Sequence, residues 1–380
     1  MTSKERILNT IDGRPADYAP LCMWHLTALD ERCKDEDESI RRQLDLGMDV
    51  FAAMPGPPFQ HHPEVRVEFR QEPAQPNPLL HKIYHTPAGD LETIVERTSD
   101  WPHGDEIPLM TDFVIPRARK FLVTGPKDLA PLRYVLADPD ADGVEEFHRG
   151  AAAARQLADR HGLALRGGFN RLSDMVCWLC GCEQFATMGI TAPEFLQSLI
   201  DLIDSWQRRR IELVLSERPD VLFDAQWYAT TFLSPALYER FMVPALRRRV
   251  EMAHAAGARF CAIATANVMP FLGILRDLGV DVLFGLDPLM GGWDFARAKA
   301  EIGGQVCLWG GINAYLTVVD GAPADVDAAV ERAMATLAPG GRFILSPVDS
   351  VRIDCDNPDA RWPAVWANIE RMAKTWKRLR

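Results

Sequence analysis

Short apolar runs alternate along the chain with longer stretches whose apolar positions recur every three or four residues. The first kind reads as buried strands and the second as amphipathic helices. Eight runs qualify as strands: 21–25 (LCMWH), 49–54 (DVFAAM), 164–169 (ALRGGF), 221–226 (VLFDAQ), 258–264 (ARFCAIA), 281–285 (DVLFG), 305–310 (QVCLWG) and 342–346 (RFILS). Helical spacing follows them at 37–46, 144–161, 193–217, 235–256, 268–278, 294–302, 323–337 and 361–377, and residues 2–12 form a helix ahead of the first strand. Near-continuous apolar strands separated by helices predict a parallel sheet covered on both faces. Eight such units predict an α/β fold, a (β/α)8 TIM barrel. A doubly wound open sheet is the alternative, but no glycine-rich phosphate loop follows any strand.

The rhythm breaks once, after the second strand. Residues 55–133 are rich in Pro and His and contain alternating stretches such as VRVEF (65–69) and LETIVER (91–97). Period-two alternation predicts half-exposed strands. The segment reads as a β-rich insertion over one end of the barrel, without an apolar core of its own, so residues 1–380 are expected to form one domain.

Charge narrows the function classes. Lys and Arg number 42 against 53 Asp and Glu, a formal charge of −11. No basic surplus exists to neutralise phosphates, so nucleic acid is not an expected partner. No run of about 18 uncharged apolar residues occurs, so no membrane span is expected. The opening MTSKERILNTIDG has no apolar core, so no export signal is expected. The eight cysteines sit mostly in apolar runs rather than at disulfide-scaffold spacings, which fits a reducing cytoplasm.

In a barrel, the C-terminal ends of the strands converge on one mouth. The candidates there are Trp24 and His25, Asn170 and Arg171, Asp224, Trp227 and Tyr228, Asp287, Trp309 and Asn313, and Asp349. Each has a structural alternative as a helix cap or loop brace. Asp224 lies among apolar residues, where desolvation raises a carboxyl and suits it to proton transfer; an ion pair with an arginine of the fold is the other reading. Arg171 is a candidate anion clamp. Trp24, Trp227, Tyr228 and Trp309 are candidates for an aromatic wall, with core packing as the alternative. Cys177, Cys180 and Cys182 have part of a zinc spacing, but no second pair or nearby His completes it, and the run DMVCWLCGCEQF reads as an apolar helix. His25, Asp49, Asp224 and Asp349 are chemically competent to gather round a divalent ion.

The order of motifs resembles the uroporphyrinogen decarboxylase (URO-D) superfamily over nearly the whole chain. The resemblance rests on KERILNTIDGRPADYAP, LFDAQWYATTFLSPALYERFMVPALRRRV, ANVMPFLGILRDLGVDVLFGLDP, GGQVCLWGGINAYLTVVDGAPADV and GGRFILSPVDS. It implies a (β/α)8 barrel with its pocket at the C-terminal mouth, and a homodimer. The superfamily holds cofactor-free decarboxylases of tetrapyrrole acetates and zinc-dependent methyltransferases serving corrinoid proteins or thiols. The decarboxylases carry M-R-Q-A-G-R-Y after the first strand; here residues 23–29 read MWHLTAL, without an arginine. The methyltransferases carry H-x-C after strand five and a Cys after strand eight; here Ile263-Ala264-Thr265 stands at the first and Asp349 at the second. The usual zinc motif is therefore absent, and no metal ligand is assigned.

The insertion segment YHTPAGDLETIVER is closer to the methyltransferase-like branch. The resemblance thus implies methyl transfer or O-demethylation of a small or aromatic substrate, with a corrinoid protein as partner. Asp224, Asp349 and His25 are the expected acid/base groups. A cofactor-free decarboxylase of an atypical acid is the second expectation, and a non-catalytic ligand-binding barrel the third.

Overall fold

The computed structural model describes residues 1–380, the side chain of Phe169 excepted. Eleven strands form two sheets. β1 (Phe51–Ala53), β6 (Ala164–Asn170), β7 (Val221–Ala225), β8 (Arg259–Ile263), β9 (Val282–Leu286), β10 (Cys307–Asn313) and β11 (Phe343–Val348) make one sheet in that order. Every neighbouring pair in it is parallel. Helices return between the strands, as parallel pairing requires.

The expected first strand, 21–25, is the exception. It makes only isolated bridges: Leu21 to Leu345 in β11, Cys22 to Asp49 just ahead of β1, and His25 to Ser350. Pro20 precedes it and the helix Thr27–Asp30 follows at once, which leaves no room for a continuous ladder. The sheet is thus seven-stranded and curled, with both edges reaching the same extended segment: Cys22 N donates to Leu345 O at 3.0 Å and Asp49 N to Leu21 O at 2.8 Å.

Two apolar layers follow from the strand period of two. Val221, Phe223, Ala225, Cys261, Phe284 and Trp309 belong to one cluster on the concave side, sealed by Ile7, Leu8 and Ile11 of the helix Ser3–Asp12. That helix packs under the strand starts, where Arg342 donates to the Asp12 carbonyl and Arg259 to the Asp12 carboxylate. It opens with a reciprocal cap between Thr2 and Glu5. Leu222, Phe260, Leu283 and Leu308 face outward into the larger cluster shared with the helices. The stretch expected as one helix over 235–256 is two, Pro235–Phe241 and Val243–Ala255, because Pro244 belongs in a first turn and not in a helix interior.

The insertion forms an antiparallel sheet of β2 (Arg66–Glu72), β3 (Leu79–Thr86), β4 (Gly89–Glu96) and β5 (Ala118–Lys120). In β4, Leu91, Thr93 and Val95 are buried in alternation. The insertion does carry a small apolar cluster, of Leu80, Val95, Trp101, Ile107 and Val114, while Tyr84, Leu91, Leu122 and Val123 join the main core. No helix among the described residues is long and apolar enough to cross a membrane.

Candidate functional site

Two adjoining cavities, of about 470 and 540 Å³, open where the strands end. They share Trp24, His25, Ala53 and Arg166. The smaller reaches towards the helix Glu36–Asp45 and is lined by Asp30, Asp35, Glu36 and Trp309. The larger is lined by Asn170, Arg171, Gln207 and Arg210, with Phe59 and Met110 supplied by the insertion.

Their common floor is aromatic. The Trp24 ring stacks on Phe223 at 5.0 Å and on Phe284 at 4.8 Å between centroids. Trp309 meets Trp24 edge-on at 6.1 Å and donates its Nε1 hydrogen to Cys22 O at 2.9 Å. The Arg166 guanidinium lies over this floor, 4.7 Å from the Trp24 ring centre and 5.4 Å from that of Phe223. Among the described residues, no hydrogen bond or ion pair engages it. Burial lowers Arg166 to about 10, so it stays a cation at neutral pH. Crowding by protein, followed by the charges of Arg166 and Arg171, pulls His25 down to about 4. The imidazole is therefore neutral at pH 7, able to accept a proton or to donate one hydrogen bond.

Asp349 is exposed and sits beside His25 through the backbone: its neighbour Ser350 bridges His25, and the Ser350 hydroxyl lies 2.6 Å from that of Thr27. Its own backbone is left-handed, with φ of 72°, an uncommon conformation that clusters at functional sites. Asp287 and Asn313 meet each other instead of a cavity. Asn313 Nδ2 donates to Asp287 Oδ2 at 2.7 Å, and Asp287 Oδ1 accepts from Leu289 N and Met290 N. Gly285 lies close against the Ala264 backbone: at its φ of 122° a side-chain carbon would stand 2.2 Å from the Ala264 carbonyl oxygen.

Asp224 is placed differently from the expectation. It occupies the outward register of β7, fully buried, and lines neither cavity. Its Oδ2 accepts from Arg249 Nη1 at 2.7 Å, and its Oδ1 accepts from Gln226. Arg249 also donates to Asp204 Oδ1 at 2.9 Å and to Gln207 Oε1 at 2.8 Å. Burial pushes the Asp224 carboxyl up and Arg249 opposes it. The carboxylate ties β7 to the helices Pro193–Ser216 and Val243–Ala255.

Arg171, Trp227 and Tyr228 form a separate wall. The Arg171 guanidinium stands 5.4 Å from the Trp178 ring centre and 5.8 Å from that of Trp227. Tyr228 Oη and Trp178 Nε1 both donate to Asp112 Oδ1, at 2.7 and 2.8 Å, which ties the insertion to the helices Leu172–Cys180 and Trp227–Phe232. Beneath them Asp174 is fully buried. Its Oδ1 accepts from Ser173 Oγ at 3.1 Å, while Oδ2 has no partner among the described residues. Burial raises Asp174 to about 7 against the opposing charge of Arg171.

Arg166 and Asp174 are among the groups that the sequence reading passed over. Each carried a signal: an arginine inside a run expected to be buried on both faces, and a lone acid in an apolar helix.

The donor set does not fit zinc. Among the described residues no three His, Cys, Asp or Glu side chains are placed to hold a metal. His25, Asp49, Asp224 and Asp349 do not gather: Asp49 binds Arg6 at 2.6 Å and Asp224 binds Arg249. Cys177 and Cys180 are buried in the helix Leu172–Cys180.

The family described as uroporphyrinogen decarboxylase (URO-D) matches residues 136–356. A methyltransferase from Methanosarcina mazei superposes with a TM-score of 0.59 at 14% identity, covering 100% of this chain and 99% of that one. A B12-independent methionine synthase from Shewanella sp. W3-18-1 superposes with a TM-score of 0.53 at 8% identity, covering 95% and 98%. No curated protein matches the sequence with significance. The family match spans more than half of the 380 residues, and the chain belongs to the uroporphyrinogen decarboxylase (URO-D) family.

Proposed function

We propose that the protein is a methyl-transfer enzyme, acting on a small or aromatic substrate held in the mouth cavities. The sheet is read as a (β/α)8 barrel with residues 21–25 as its first strand, in a single domain. The observation that carries the reading is the likeness in fold, over the full length of both chains, to the Methanosarcina methyltransferase. The aromatic floor of Trp24, Phe223 and Phe284 supports a flat or apolar substrate. In O-demethylation the ether C–O bond breaks, the methyl group passes to the reduced corrinoid of a partner protein, and the oxygen left behind takes a proton. His25 and Asp349 are the acid/base groups of this proposal, and Asp224 is a positioning strut. Zinc is given no part in it, because no three donors gather among the described residues. Incubation of purified protein with methoxylated aromatics and cob(I)alamin tests the reading. Formation of methylcobalamin is expected, and none over a broad panel overturns it.

A second reading, cofactor-free decarboxylation of an atypical acid, is favoured by one observation: the cationic Arg166, in no ion pair among the described residues, beside a neutral His25. Carbon dioxide release without cobalamin separates the two.

A further inference from the structure

The chain is acidic overall, yet the larger of its two mouth cavities is locally cationic. The larger cavity is lined by Arg166, Arg171 and Arg210 and by no carboxylate. Arg210 is committed to backbone, donating to Pro58 O at 2.9 Å and to Pro57 O. Arg171 is held between Trp178 and Trp227. Arg166 is different. It lies on the aromatic floor, lines both cavities, and has neither hydrogen bond nor ion pair among the described residues. The Glu36 carboxylate acts on it through charge alone, without a hydrogen bond, and a guanidinium taken partly out of water with its donors unfilled is unfavourable unless a ligand completes them. His25, the other polar group shared by the two cavities, is neutral at pH 7 and adds no competing charge.

From this geometry we infer that the site binds a small carboxylate with a flat apolar body, and that Arg166 is the residue that selects its charge. The carboxylate pairs with the Arg166 fork, a planar match that guanidinium makes bidentately. The apolar body extends over Trp24 into the larger cavity, because the smaller one presents Asp30, Asp35 and Glu36, which repel an anion. This deepens the proposed function and rests on it only for the choice of site.

The test is binding rather than turnover, so that its failure is separable from failure of methyl transfer. Tryptophan fluorescence or calorimetry is used with benzoate and 4-methoxybenzoate, and with benzamide as the neutral analogue of the same shape. Benzoate is expected to bind about tenfold or more tighter than benzamide to the unaltered protein, as charge-assisted hydrogen bonds imply. Arg166→Gln is expected to abolish that preference, Arg166→Lys to retain part of it, and Arg210→Gln to leave most of it. Equal binding of benzoate and benzamide overturns the inference whether or not any variant folds. So does a folded Arg166→Gln protein that keeps the preference. Benzoate selection with no methylcobalamin formed retains the inference and removes the proposed reaction.

Discussion

Two arginines of the sheet region, Arg249 and Arg166, carry the same group into surroundings that differ in one respect. Arg249 is fully buried on the outer side, with Asp204, Asp224 and Gln207 taking up its donors. Arg166 faces the concave side, over Trp24 and Phe223, with no protein acceptor among the described residues. A charge whose hydrogen bonds are all answered by protein is holding the fold together. A charge whose bonds are left open at a cavity wall is placed for something that arrives from solvent. The same contrast separates the carboxylates: Asp224 is consumed by Arg249, while Asp349 stays exposed beside the His25 segment.

The comparison breaks most directly at Asp224. Asp224→Ala leaves Arg249 with one of its two carboxylates, and we expect a loss of about 3–5 kcal/mol in urea unfolding, as for other buried pairs cut on one side. A cost below about 1 kcal/mol would remove the strut assignment. Arg249→Leu leaves Asp224 without a cation while Asp204 keeps Arg248, and a loss of similar size is expected by the same measurement.

The next effect is one of pH. Burial holds Asp174 at about 7 and Asp49 at about 6, against an ordinary 3.8. The folded carboxyls keep their protons to higher pH than the unfolded ones, so the folded state binds more protons from about pH 4 to pH 7. Stability therefore falls as pH rises through that window, Asp174 contributing on the order of 1–3 kcal/mol. Asp174→Asn is expected to flatten the slope and to raise the melting temperature at pH 8 relative to the unaltered protein. An unchanged slope would show that Asp174 is ionised throughout.

The smallest effect is expected at Arg166. Arg166→Leu removes a charge that no hydrogen bond or ion pair among the described residues engages, so stability should stay within about 1 kcal/mol of the original, or rise. A loss as large as that at Arg249 in chemical denaturation would erase the distinction between the two arginines.

Much of the fold was readable. The runs ALRGGF, VLFDAQ, ARFCAIA, DVLFG, QVCLWG and RFILS all contain strands of the parallel sheet, because near-continuous apolar residues bounded by helical spacing have few other solutions. The helix boundaries at 144–161, 193–217 and 323–337 fall within a few residues of those observed. The site was legible only in part. Trp24, His25, Asn170, Arg171 and Trp309 do line the cavities. Trp227, Tyr228, Asp287 and Asn313 instead bond to their neighbours or brace loops, and Arg166 was hidden inside a strand.

The sequence by itself determined the alternation of strand and helix, the place of the insertion, and which residues stand near strand ends, since these follow from local apolar spacing and turn chemistry. Only the tertiary structure decided which way each strand residue faces. A strand buried on both sides has no alternation of polar and apolar positions to set its phase. Asp224 in VLFDAQ and Arg166 in ALRGGF therefore look equivalent in the chain. Packing turned the first outward to Arg249 and the second inward to an open cavity, and that turn separates a strut from a binding group.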